Sequence, residues 1–280
     1  MSIFMSLFLG LVQGVTEFLP VSSSGHLSIL QNIFNMNYAE NNHLLFEILL
    51  HLATLISIIV AYWEEIKTML ADGLAFLRMR SDADLDEPLV LRPPARALLF
   101  VIIGTLPMFV ALLFMRSVKR LFFRLGFIGF ALLVTGGLLF VSDKYITKGN
   151  KTERTMTLAD ALIIGCSQAV AILPGLSRSG TTISVGLARG LSGNFAVKYS
   201  LLLSIPAVFG ATIATIYSAI RDGASFSNLP AYLIGFIVAA GTGFIAIQLV
   251  RRLMNKGDYG KFAYYCWGAG LLTIIMSFFR

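Results

Sequence analysis

The sequence predicts an all-α polytopic membrane protein: six transmembrane helices and two re-entrant helix-loop-helix hairpins, arranged as an inverted-topology repeat in a single membrane domain. Three observations carry this. Hydrophobic residues make up 56% of the 280 and charged residues 13%, with a mean hydropathy of +0.79, whereas about a quarter of the residues of a soluble domain are charged. Apolar stretches of about 20 residues, the length that crosses a hydrocarbon core of roughly 30 Å, recur along the chain. Finally, residues 10–25 return 155 positions later as residues 165–180: without gaps, Gly10/Gly165, Gln13/Gln168, Val15/Val170, Ser22/Ser177, Ser24/Ser179 and Gly25/Gly180 match. The chain is a duplication.

From the N-terminus, residues 3–33 are long enough to enter the membrane but are broken halfway by Pro20, Ser22, Ser23, Ser24 and Gly25. Unsatisfied backbone at membrane depth is tolerated only when it is buried in protein or lines a polar cavity. The segment therefore reads as a hairpin that begins and ends on one face. Spans follow at 43–62, 95–115 and 121–141. Between the first two, the loop from Glu64 to Arg96 opens with Ile66, Met69, Leu70, Leu74 and Leu77 at helical spacing, the pattern of a helix lying on the membrane surface. Its acidic run Asp82, Asp84, Asp86, Glu87 lacks the glycine and spacing of a calcium loop and reads as a solvated turn. The second half repeats the order: a hairpin over 158–190, broken by Pro174, Gly175 and Gly180, then spans at 196–219, 229–250 and 262–279.

Each half, 1–150 and 151–280, then holds one hairpin and three spans. An odd number of crossings turns the second half upside down, so the hairpins enter from opposite faces and meet near the middle. Counting each hairpin as two spans keeps the halves inverted; counting each as one makes them parallel. Paired, interrupted hydrophobic segments in corresponding positions point to a binding site at the midplane.

Orientation follows from Lys and Arg. One face takes 15 of them, including Lys67, Arg92, Lys144, Lys151, Arg189 and Lys261; the other takes six, Arg116, Lys119, Arg120, Arg124, Arg221 and Arg280. Arg178 alone is left at membrane depth. The richer face is cytoplasmic, which puts both termini and the mouth of the first hairpin outside. No Lys or Arg precedes Lys67, so the N-terminus lacks the basic region of a signal peptide and is expected to stay in the mature protein. The net charge of +7 reflects this bias rather than a nucleic-acid footprint, and no nucleic-acid partner is expected. The two cysteines, Cys166 and Cys266, lie in apolar segments without metal-ligand spacing and read as packing residues. The oligomeric state is left open, a homodimer included.

Chemistry concentrates in the hairpin breaks. An intramembrane Arg costs at least about 2.5–3.5 kcal/mol on insertion scales and calls for an anionic partner. Around Arg178, Ser177, Ser179, Gly180 and Thr182 are small or hydroxyl-bearing, and the helix that follows presents free N–H groups to the same point, which makes an anion cradle. A guanidinium suits phosphate because its planar fork donates two parallel hydrogen bonds and stays charged; the alternative is that Arg178 only pairs with Glu17 to pin the hairpins. Glu17 is the one carboxylate of the first hairpin, a candidate general base or metal ligand. Gln13 lies one turn before it on the same face. With a single carboxylate, Mg²⁺ or Ca²⁺ would be held jointly with substrate phosphates. Ser22, Ser23, Ser24 and His26 follow directly, hydroxyl nucleophiles beside an imidazole. Glu47, His51 and Thr54 stack on one face of the first span; they extend the site or hold the fold, and the core site is drawn without His51 and Thr54.

At these residues the chain resembles the undecaprenyl-diphosphate phosphatase family of the bacitracin-resistance type. The family's Glu or Gln, three residues, then Glu matches Gln13 and Glu17, and its Phe-Leu-Pro-Val-Ser-Ser-x-Gly-His continuation matches Phe18 through His26. Its Pro-Gly-x-Ser-Arg-Ser-x-x-Thr motif matches Pro174 through Thr182. The resemblance implies hydrolysis of a membrane-embedded polyprenyl diphosphate to the monophosphate carrier lipid of peptidoglycan synthesis, divalent-cation dependence, and a site on the outer side of the bacterial cytoplasmic membrane. Gln13 departs from the Glu of many members and puts a two-carboxylate metal site in doubt.

Residue types and resemblance together give a scheme. Arg178, with Ser177, Ser179, Thr182 and hairpin N–H groups, holds the diphosphate. Ser23 attacks the terminal phosphorus while Glu17 takes its proton, and His26 serves as acid or base when water releases phosphate. In the rival scheme Glu17 or His26 activates water directly. A lipid-phosphate transporter is the competing class, because inverted repeats with broken helices also build secondary transporters.

Overall fold

A computed structural model describes residues 2–34, 41–82, 91–145, 149–221 and 228–279. The order along the chain is α1 (Ile3–Phe18), α2 (Ser23–Ile33), α3 (Asn41–Ala61), α4 (Trp63–Asp82), α5 (Pro93–Leu112), α6 (Met115–Leu121), α7 (Leu125–Tyr145), α8 (Leu158–Val170), α9 (Arg178–Ala188), α10 (Gly193–Arg221), α11 (Leu229–Lys256), a 3₁₀ turn (Tyr259–Lys261) and α12 (Phe262–Ser277). Among the described residues every regular element is helical. Asp84, Asp86 and Glu87 of the acidic run, together with Lys148 and Arg280, lie outside them.

Both interrupted segments are two helices joined by a short non-helical stretch, 19–22 in the first and 171–177 in the second. A hydroxyl starts each of the four helices: Ser2 accepts from Met5 N, Ser22 from Gly25 N, Thr157 from Asp160 N and Ser177 from Gly180 N, each cap contributing about 1 kcal/mol. Side chains close the open ends. Phe8 meets Phe34 edge to face at 6.3 Å in the first segment. In the second, the fully buried Asp160 takes Lys151 at 2.9 Å and Arg189 at 2.8 Å, tying the start of α8 to the end of α9.

Among the described residues, four helices are long and apolar enough to cross a membrane: Pro93–Leu112, Leu125–Lys144, Gly193–Ser218 and Leu229–Lys256. They become five if Leu45–Ala61 and Trp63–Arg78, bent by 77° at their junction, count as one span. That bend falls where the sequence places a change from span to surface helix. In α4, Met69 is buried while Leu70, Leu74 and Leu77 are exposed. The segment expected at 262–279 forms α12, whose 16 residues extend about 24 Å at 1.5 Å per residue, short of the full apolar core. Large apolar side chains such as Phe109, Leu113, Phe209, Ile237 and Ile245 are exposed, while Gln13, Glu17, Ser57, Gln168, Ser179 and Ser200 are buried. Polar inside and apolar outside is the distribution of a multi-pass membrane protein, whose solvent is lipid.

The two broken segments pack across the halves. α1 lies on α11 and α8 on α5, while α7 packs on α12 and α3 on α10. Small residues permit this approach: a Cβ on Gly10 would strike the carbonyl of Gly235, and one on Gly165 the carbonyl of Gly104. Gly165→Leu is therefore expected to lower thermal stability in detergent by about 1–3 kcal/mol or more; an unchanged melting temperature would contradict this packing. The packing expected of both cysteines holds for Cys266, which is buried with Sγ donating to Pro20 O at 3.6 Å. It fails for Cys166, exposed on the outer side of α8, because the apolar run there faces outward as well as inward.

Candidate active site

The C-terminal turn of α1 and the N-terminus of α9 bring two opposite charges together. Arg178 Nη2 donates to Glu17 Oε1 at 2.9 Å, with side-chain exposures of 16% and 6%. Removing one partner of such a buried pair costs about 3–5 kcal/mol, because the other charge is left without compensation. The breaks are held at this point from both sides. Thr135 of α7 donates to Gly175 O and accepts from Ser177 N, each at 3.1 Å, and Ser179 Oγ donates to Leu19 O at 3.4 Å.

Ser23 Oγ donates to Glu17 Oε2 at 2.6 Å. This places a hydroxyl on a carboxylate oxygen within general-base reach, while the other carboxylate oxygen faces the guanidinium. The preceding residue makes the turn: Ser22 has φ 69°, the one described non-glycine residue with positive φ, a conformation that costs about 1–3 kcal/mol and gathers at functional sites. Bonds from Gly25 N to Ser22 Oγ and from His26 N to Ser22 O, both 3.2 Å, hold it there.

Gln13 Nε2 donates to Glu17 Oε2 at 3.0 Å and to His51 Nδ1 at 3.1 Å. An amide N–H can only donate, so His51 Nδ1 accepts and its own proton sits on Nε2. His51 Nδ1 is also 3.6 Å from Glu17 Oε2. Sequence reasoning left His51 out of the core site. Its signal was the Glu47, His51, Thr54 stack, whose other members turn elsewhere: Glu47 accepts from Gln31, and Thr54 bonds back to His51 O at 2.9 Å.

The other predicted residues divide. Ser24 Oγ lies 3.4 Å from Ser22 Oγ, and Ser177 Oγ 3.3 Å from Ser179 Oγ while capping Gly180 N. Thr182 turns to α10, 2.6 Å from Ser200 Oγ, and donates to Arg178 O at 2.8 Å. Among the described residues His26 bonds outside the Glu17, Ser23, Arg178 cluster. Its Nδ1–H donates to Ser22 O at 2.8 Å, so Nε2 accepts from the Tyr265 hydroxyl at 2.7 Å, with the two rings nearly parallel. Tyr265 carried no sequence signal, being one aromatic among many in an apolar span.

A carboxylate-activated hydroxyl beside a guanidinium is a constellation for phosphoryl or acyl transfer. Comparison narrows it. The family model described as "Bacitracin resistance protein BacA" matches residues 6–272. The chain belongs to the BacA family. Among the relatives of this BacA family member, an undecaprenyl-diphosphatase of Halothermothrix orenii is 34% identical over 278 residues, covering 99% of each chain. One of Carboxydothermus hydrogenoformans is 37% identical over 280 residues, covering 99% of this chain and 98% of its own. One of Methanobrevibacter smithii is 37% identical over 281 residues, with the same coverage. In this BacA family member His51 holds Gln13 against Glu17 and so extends the site. His51→Ala is expected to lower kcat/KM about tenfold, the worth of one buried hydrogen bond to the site, with little change in melting temperature.

Proposed function

We propose that this chain is an integral membrane phosphatase that hydrolyses undecaprenyl diphosphate to undecaprenyl phosphate and inorganic phosphate, recycling the carrier lipid for peptidoglycan synthesis and conferring bacitracin resistance. The observation that carries the reading is the 2.6 Å Ser23–Glu17 hydrogen bond facing the Arg178 guanidinium. A transporter of the same lipid needs a cation to bind phosphate but no hydroxyl poised on a carboxylate.

In the proposed reaction Arg178, with Ser177, Ser179, Gly180 and the N–H groups that open α9, holds the diphosphate and stabilises charge on the transferring phosphoryl group. Ser23 Oγ attacks the terminal phosphorus, its proton passes to Glu17 Oε2, and the lipid monophosphate leaves with the bridging oxygen. Glu17 gives that proton to the departing monophosphate; water then attacks the phosphoserine, Glu17 takes its proton and returns it to Ser23 Oγ as the phosphorus–Oγ bond breaks, and phosphate and free Ser23 result. Ser22 and Ser24 shape the turn that presents Ser23.

A hard divalent cation fits the oxygen donors present: Glu17, the Ser23 hydroxyl and Gln13 Oε1, which is buried without a hydrogen-bond partner among the described residues. Mg²⁺ or Ca²⁺ would be held there together with substrate phosphates, where it would neutralise developing phosphate charge. No cluster of three or more His, Cys, Asp or Glu stands among the described residues, so the protein alone is a weak site.

The proposed topology is one membrane domain of two inverted repeats, 1–150 and 151–280, with six spans, two re-entrant hairpins, both termini outside and the site open to the outer face of the bacterial inner membrane. The reciprocal packing of α1 on α11 and of α8 on α5 supports it, as does the 15-to-6 asymmetry of Lys and Arg. The test is phosphate release from a long-chain polyprenyl diphosphate by purified protein in detergent, with and without EDTA. Release from wild type and trapping of phosphate on Ser23 are expected, with loss in EDTA. No release from folded wild type would favour the transporter.

A further inference from the structure

A buried amide without hydrogen bonds costs about 1–3 kcal/mol, and native chains retain such groups where something else completes them. Gln168 is 1% exposed, and neither its Oε1 nor its Nε2 has a partner among the described residues; it is the one described side chain with two such atoms. Two more orphaned polar atoms belong to the same segment, Thr181 Oγ1 and Arg178 Nη1.

The course of the segment brings the three residues to the same end of the α8–α9 pair. α8 ends at Val170 and α9 begins at Arg178, and the two helices pack on each other. Gln168 is therefore three residues before the break and Thr181 four after it, at about one level of the helix pair. Thr181 is also three residues beyond Arg178, on the same helix face. Gln13 has the equivalent register in α1, nine residues before its cap serine, but the residue matching Glu17 in the second segment is Ile172. Gln168 therefore lacks the neighbouring carboxylate that Gln13 bonds.

We propose that the Gln168 amide, the Thr181 hydroxyl and Arg178 Nη1 form a phosphate seat for the phosphate that remains on the lipid. The inference rests on the phosphatase reading above. Three donors, with no acid among them, suit an anionic oxygen cluster. Glu17 and Ser23 engage the terminal phosphate from the first segment, Arg178 spans both phosphates, and the groups of the second segment that do not meet the terminal one are left to the inner phosphate. The same seat then holds the monophosphate product.

The experiment uses full-length protein in detergent. Gln168→Leu, similar in volume and without polar atoms, is assayed for KM with polyprenyl diphosphate, for inhibition by polyprenyl monophosphate and by inorganic phosphate, and for thermal stability without ligand. KM and the monophosphate inhibition constant are expected to rise about tenfold or more, the worth of a hydrogen bond to a charged group. Inhibition by inorganic phosphate is expected to stay, and the ligand-free melting temperature to hold or rise, because an orphaned amide has gone. Unchanged KM and monophosphate inhibition would overturn the seat, and so would weakening confined to inorganic phosphate. If Gln168→Leu does not fold, Thr181→Val is read out in the same way. An active wild type with an indifferent variant removes only this inference; a wild type that releases no phosphate removes the phosphatase reading and the seat with it.

Discussion

Arg178→Lys is expected to lower kcat/KM for polyprenyl diphosphate by about 10³-fold, and Arg178→Ala by more, since removing a single preorganised donor already costs roughly 10²–10³ in kcat. Lysine keeps the charge but not the fork. In the folded protein Nη2 is committed to Glu17 Oε1 at 2.9 Å while Nη1 is buried without a partner among the described residues, so one guanidinium bridges the carboxylate and whatever enters the site. An ammonium on a flexible stem does not hold both directions at once. Phosphate release under single-turnover conditions, beside a thermal melt, measures this. Turnover within a few fold of wild type for the folded lysine variant would exclude Arg178 from the phosphate site.

The second large effect is that of Glu17→Gln, which keeps shape and removes the base. General-base catalysis is worth about 10²–10⁴, and Ser23 donates to Glu17 Oε2 at 2.6 Å, so a loss of this order in kcat is expected with little change in KM. The substitution also leaves Arg178 buried without its anion, a destabilisation of about 3–5 kcal/mol. The two consequences separate in a double variant. Glu17→Gln with Arg178→Met removes both charges, so much of the lost stability is expected to return while activity does not. Recovery of activity along with stability would mean that Glu17 serves only as a counter-ion.

Local pattern made the helix–break–helix segments legible, because hydroxyl caps, glycines and proline act within a few residues of their own position. Ser22 and Ser177 cap the second helix of their segments as the duplication implies. The pairing of Glu17 with Arg178 was legible too, since a lone carboxylate and a lone guanidinium in two apolar breaks have little else to bond. The bend of 77° between α3 and α4 falls where span gives way to surface helix, as the sequence places it, while α12 is shorter than its apolar stretch, because hydropathy marks where a chain is apolar and not where a helix ends.

What depended on long-range contacts could not be read in advance. His51 and Tyr265 lie 34 and 239 residues from Glu17 and His26 respectively, and only the packing of α3 on α1 and the approach of α12 to α2 give them roles. His26 was expected to face the reacting groups, yet Ser22 O and Tyr265 take both its nitrogens. The sequence by itself determined that this is a duplicated helical membrane protein with a carboxylate, hydroxyls and a guanidinium in two matching breaks, because composition, periodicity and capping are local properties. Only the tertiary structure decided which hydroxyl meets the carboxylate and which histidine joins it, because those are questions of distance between segments that the chain order leaves free.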